Sequence, residues 1–94
     1  MAAMIDLSHD IARGMGRLHR EVDGRVVLMS VESGDIYELN ELGRRIWSAI
    51  EHPIAVAALC DAIAAQTGAP IDTIRRDTLA FLNQLAAHNF VAIV

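Results

Sequence analysis

Polar and apolar residues alternate in short runs from Arg17 onward, and later the apolar residues recur every three or four positions along longer stretches. The first run, Arg17 to Val22, is joined by Asp23-Gly24 to a second, Arg25 to Val31. Asp-Gly between two such runs predicts a hairpin, because a tight turn that follows strand twist needs positive φ at its centre. Glu32-Ser33-Gly34 predicts a second turn into Asp35 to Leu39, completing a three-stranded antiparallel meander. Asn40 follows as a natural N-cap, with Glu41 adding negative charge to the first turn of a helix reaching about Ile50, whose apolar face is Leu42, Ile46, Trp47 and Ile50. Beyond Pro53 a second helix, from roughly Ala55 to Gln66, carries Val56, Leu59 and Ile63 and stops at Gly68. Asp72 is placed to cap a third, in which Ile74, Thr78, Phe81, Leu82 and Leu85 keep the helical period to about His88. Asn89 suits a left-handed closing residue, and Phe90 to Val94 run out apolar.

This βββααα order predicts an α+β domain with three helices on one face of a small antiparallel sheet. With 94 residues there is room for one core, and 53% hydrophobic residues suffice to build it. Residues 1–15 show no sustained period, although Ile5 to Ile11 could form a short turn or strand; they read as a flexible N-terminal arm before a domain at 16–94. Eight arginines, no lysine and twelve acids give a formal charge of −4. From Asp35 onward four arginines (44, 45, 75, 76) face seven acids (35, 38, 41, 51, 61, 72, 77), a balance of −3 where the helices lie. That charge disfavours broad contact with phosphate backbones. A single cysteine, Cys60, allows neither an intrachain disulfide nor a multi-cysteine metal site. No signal-like or membrane-length apolar run is present, so a soluble, cytoplasmic protein that binds no membrane is expected.

A family resemblance rests on Val26-Val27-Leu28 followed by the run from Gly34 to Trp47, in which Tyr37, Leu39-Asn40-Glu41, Gly43 and Ile46-Trp47 keep a set spacing. The later stretch Arg76 to Leu85, closing with Phe90-Val91, carries it further. Together these segments resemble the PqqD family over about residues 16–94. Asn89 stands where members often have glycine, a substitution that the left-handed conformation tolerates. The resemblance implies a winged-helix-like fold that binds, without catalysis, the leader segment of ribosomally synthesised, post-translationally modified peptides. It also implies partners: the precursor peptide and a modifying enzyme such as a leader peptidase, a cyclase or a radical SAM enzyme. The Tyr-x-Leu-Asn-Glu-x-Gly-x-x-Ile-Trp run is similar to that of stand-alone members from lasso peptide pathways.

An antiparallel sheet with a free edge can take an extended peptide as an added strand. The third strand of the meander is such an edge, so the peptide-binding residues are expected along Asp35, Ile36, Tyr37, Glu38 and Leu39. Alternation puts Tyr37 and Leu39 on one face, as groove or plain core residues, and Ile36 and Glu38 on the other. At about 100° per residue, Ile71, Ile74, Thr78, Phe81 and Leu85 centre the third helix's buried stripe. Arg75, Leu79, Leu82, Asn83 and Ala86 fall on one flank. That flank, with Arg76, is expected to form the opposite wall, an apolar groove with a cationic rim suited to a leader carrying both apolar anchors and acids; the plainer alternative is a wider core face and two solvated arginines.

No catalytic residue, metal site or cofactor is expected. His9, His19, His52 and His88 lie on separate elements, Cys60 reads as a small buried hydrophobe, Trp47 as a core anchor, and no phosphate loop or dinucleotide fingerprint is found. Two alternatives share the fold: a winged-helix DNA-binding regulator, against which the charge speaks, and an adaptor contacting only a partner enzyme. The chain length is compatible with a monomer or a homodimer.

Overall fold

The computed structural model describes residues 4–14 and 17–94. The chain runs β1 (Asp10–Arg13), β2 (Arg17–Val22), β3 (Arg25–Ser30), β4 (Ile36–Glu38), α1 (Glu41–Ala49), β5 (Ile54–Ala55), α2 (Val56–Thr67), α3 (Ile71–Ala87) and β6 (Val91–Ile93). Asp23 and Gly24 take φ of 52° and 77°, so the hairpin between β2 and β3 closes in two residues, as the Asp-Gly pair predicts. β2, β3 and β4 pair antiparallel in that order, which leaves β2 and β4 at the edges. Val26, Leu28 and Ser30 of β3 turn inward, while Met29 between them is exposed.

Three further strands lie outside the expected βββααα order and form a second antiparallel sheet, β5-β1-β6. Ile11 pairs with Ile54 on one side and Ile93 on the other. The span read as an arm therefore belongs to the fold from residue 5 to residue 13. Ile5 and Ile11 are buried, and the Asn83 side chain clasps Ile5 by accepting its N–H at 2.7 Å and donating to its carbonyl at 3.1 Å. The cause is tertiary: strands of four, two and three residues are too short to show a period, yet each gains backbone hydrogen bonds once the chain's two ends meet. Residues 1–3 and 15 of that arm, and residue 16 where the domain was to begin, lie outside the described residues.

The Asn40 side chain accepts the Gly43 N–H at 2.8 Å and caps α1 as expected. Gly68, at φ 71°, ends α2, and Asn89, at φ 62°, turns the chain from α3 into β6. α3 begins two residues earlier than a cap at Asp72 would allow. Pro70 stands at its N-cap with φ −58°, leaving Asp72 in the first turn, where its charge still favours the helix terminus. The core is continuous, joining Ile11 and Phe90 to Ile46, Ile50, Leu59, Ile63 and Leu82. Among the described residues no helix is long and apolar enough to cross a membrane.

The second sheet gives a direct test. Ile11 is fully buried at the centre of β1, so Ile11→Ala should lower stability by about 2–5 kcal/mol in denaturant melts. A loose arm would give no measurable change.

Candidate functional site

Backbone parity along β4 determines which groups it offers to a partner. The Ser30 N–H donates to Asp35 O and the Leu39 N–H to Val26 O, each at 2.9 Å. In an antiparallel ladder hydrogen-bonded and non-bonded pairs alternate, so Asp35, Tyr37 and Leu39 spend their backbone groups on β3. Ile36 and Glu38 aim theirs at the open edge. The side chains divide the same way: Leu39 is buried and Tyr37 half-buried on the inner face, whereas Ile36, 62% exposed, and Glu38 face outward.

Beside that edge lies a cavity of about 210 Å³. Tyr37 and Leu39 form its strand side, Phe81, Leu85 and His88 its helix side, and Phe90 closes it. The Tyr37 ring stands edge-on to Phe90, with centroids 5.6 Å apart, and its hydroxyl lies 3.1 Å from His88 Nε2. Loss of water around the phenol, and secondarily the Asp35 carboxylate, raise the Tyr37 pKa, so the hydroxyl stays neutral and keeps its proton. A second hollow continues the groove past Phe81 to Gly43 and Asp77, and a third opens on the far side of His88 under Val31 and Glu32. Gly43 shapes the middle of this run. A Cβ there would stand 3.0 Å from the tip of the Phe81 ring, so a side chain on α1 would push that ring toward the groove.

The expected helix wall is on the other flank of α3. Leu82 is fully buried and belongs to the core, Leu79 and Ala86 pack against that core half-buried, and Asn83 is occupied with Ile5 and with the Leu79 carbonyl. Arg75 faces Asp61 of α2 at 4.0 Å, and exposed Arg76 pairs with Asp77 at 3.2 Å. The buried stripe is Ile74, Thr78, Leu82 and Leu85, which turns Phe81 out of the core and toward β4. Phe81, Gln84, His88 and Phe90 line the cavity beside β4, and Arg75, Arg76, Leu79, Leu82, Asn83 and Ala86 do not. A helical wheel shows two flanks, and only the position of the N-terminal segment and α2 decides which one meets the sheet.

A larger hollow, about 510 Å³, lies between the β2–β3 turn and α1. Arg44 donates to Gly24 O and Arg45 to Gln66 and Glu41, so its polar groups already serve the fold, and neither β4 nor α3 borders it. Cys60 is fully buried beside Thr78, and that burial pushes its thiol pKa up, against smaller opposing effects of Thr78 and Arg75. Among the described residues no three His, Cys, Asp or Glu side chains gather where they could hold a metal ion.

The arrangement is a strand edge with an apolar cleft beside it, and family comparison assigns the chain on that frame. A family model described as "Coenzyme PQQ synthesis protein D (PqqD)" matches residues 25–91, which takes in β3, β4 and all three helices. The chain belongs to the PqqD family. Among solved structures this PqqD member is similar to TbiB1 in complex with the TbiA(beta) leader peptide, at 29% identity and a TM-score of 0.77, covering 85% of this chain and 93% of that one. No curated protein matches it in sequence.

The state of Cys60 can be checked chemically. A thiol with no exposure and a raised pKa should resist iodoacetamide and disulfide reagents in the native protein and react at once in denaturant. Rapid native labelling would show a reactive, accessible thiolate instead.

Proposed function

We propose that this PqqD member is a leader-peptide-binding module that holds a ribosomally made precursor peptide as a fourth strand beside β4 and does no chemistry of its own. The observation that carries this reading is the coincidence of two features. The outward N–H and C=O groups of Ile36 and Glu38 supply main-chain hydrogen bonds, and the cavity lined by Tyr37, Phe81, Leu85 and Phe90 takes a side chain from the added strand. β2, the other edge, presents exposed Arg20 and Glu21, charges of the kind that discourage pairing. The solved relative supports the reading, since TbiB1 is in complex with a leader peptide.

The held peptide would be passed to a modifying enzyme, such as a leader peptidase, a cyclase or a radical SAM enzyme, in a lasso peptide or similar pathway. A monomer serves as well as a homodimer, because one copy contains the whole groove. A cytoplasmic setting, where precursor peptides are made, fits this role.

The backbone parity yields a discriminating mutation. Ile36→Pro removes an outward N–H but no β3–β4 bond, so it should weaken binding of the cognate leader by about 1–2 kcal/mol with the fold intact by circular dichroism. Phe81→Asp, which charges the cavity wall, should weaken it at least about tenfold, or ~1.4 kcal/mol. Leu79→Asp, on the far flank, should not act through the groove. Normal binding by folded Ile36→Pro and Phe81→Asp would remove strand addition from consideration.

A second check concerns chemistry. With no convergent nucleophile, base and metal set among the described residues, the purified protein should leave a precursor peptide unchanged in mass for hours. Any modification or cleavage without an added enzyme would overturn the non-catalytic assignment.

A further inference from the structure

The charge of the groove runs opposite to that of the flank first expected to bind. Glu38 borders the main cavity, Asp77 the hollow beyond Phe81, and Glu32 the hollow beyond His88. Exposed Asp35 precedes β4 at the end nearest Glu32, its carbonyl accepting the Ser30 N–H at 2.9 Å. No arginine is among the described residues that line these three hollows. Arg25 and Arg76 do pair with Glu38 and Asp77, at 3.4 and 3.2 Å, but both are exposed and neither borders the groove. The remaining described arginines on the helices point elsewhere: Arg44 to Gly24, Arg45 to Gln66 and Glu41, Arg75 to Asp61.

A peptide laid along β4 thus meets carboxylates at both ends and an apolar cavity in the middle. From these positions we infer that the groove selects a leader segment that is basic as well as apolar. Its inward side chain is aliphatic or aromatic, filling the space between Tyr37 and Phe81, and lysine or arginine flanks it toward Asp35 and Glu32 at one end and Asp77 at the other. An acidic leader is disfavoured there, because like charges would face each other across a cleft partly screened from water. The net charge of −4 adds a weaker, longer-range attraction of the same sign. This inference rests on the leader-binding reading and adds the ligand's charge to it.

Three pools of fluorescent dodecapeptides test it. Their odd positions are a mixture of Leu, Ile, Val, Phe and Tyr, and their even positions are all Lys, all Gln or all Glu. Anisotropy gives the affinity of each pool at low and moderate salt, and amide shifts report where it binds. The Lys pool should bind at least about fivefold more tightly than the Gln pool, as two or three exposed charge pairs allow. The Glu pool should bind most weakly. The Lys advantage should shrink as salt rises, and it should fall further in Glu38→Gln/Asp77→Asn. The control Asp23→Asn/Glu51→Gln, which changes net charge equally but away from the groove, should retain it.

Amides at residues 35–39 and 81–88 should shift with the Lys pool. If the Gln or Glu pool moved those amides at equal or higher affinity, the charge preference would be overturned while the groove stood. A Lys advantage kept by the groove double variant and lost in the control would also overturn it, reducing the effect to net charge. If no pool moved those amides, the groove reading itself would fall, and the inference with it.

Discussion

The rotation of α3 about its own axis decides which side chains meet the edge strand β4. Four residues, Ile74, Thr78, Leu82 and Leu85, make its buried stripe, and the Asn83 clasp on Ile5 holds one flank against the N-terminal segment. Arg75 and Asp61 tie that same side to α2. The opposite flank is left to face the edge strand, which places Phe81 and His88 across from Tyr37. A half-buried amide that both donates and accepts resists rotation, since turning the helix would break both of its bonds to Ile5. The N-terminal strand is therefore more than an addition to the domain. By closing a second sheet with β5 and β6 it seats the residues that orient α3.

That seating also separates stability from recognition. The residues that line the cavity are largely at the margin of the core: Glu38 and Gln84 are exposed, and Tyr37, Phe81 and His88 are half-buried. Leu39, Leu85 and Phe90 form its floor and belong to both. The backbone of β4 is divided on the same principle, one row of groups bonded to β3 and the other turned outward. A ligand can engage the outward row without disturbing the ladder that holds the strand in place.

Much of this was legible in the sequence. Asp23-Gly24 announces the hairpin, Asn40 the start of α1, Gly68 the end of α2 and Asn89 the turn out of α3, because each meets a local backbone requirement that few residues satisfy. The edge strand follows from the order of the meander, and its inner and outer faces from alternation. The second sheet was not legible, since its strands join segments far apart in the chain, as in Ile11 with Ile54 and Ile93, and none is long enough to carry a pattern. Nor was the helix wall. Phe81 sits close enough to the apolar stripe to read as core, and nothing local to His88 shows that Tyr37 will stand beside it. The arginines at 75 and 76 look like a binding rim until their partners Asp61 and Asp77 are located. Family resemblance identified the module, but the sign of the groove's charge came from tertiary contacts.

The size of the site sets the kind of binding it can support. β4 is three residues long, and an added strand would gain only the bonds offered by Ile36 and Glu38, each worth roughly 0.5–1.5 kcal/mol net. Ordering each peptide residue costs about 1–2 kcal/mol, so backbone pairing alone does little more than offset the loss of freedom. The surplus must come from an anchor in the cavity, which at about 210 Å³ has room for one large apolar side chain worth roughly 1.5–3 kcal/mol. A module that bound in this way would take a short extended segment, depend strongly on one apolar position, and tolerate variation at the outward-facing ones. A second contact to the same peptide would convert the later encounter into an intramolecular one and raise the effective affinity.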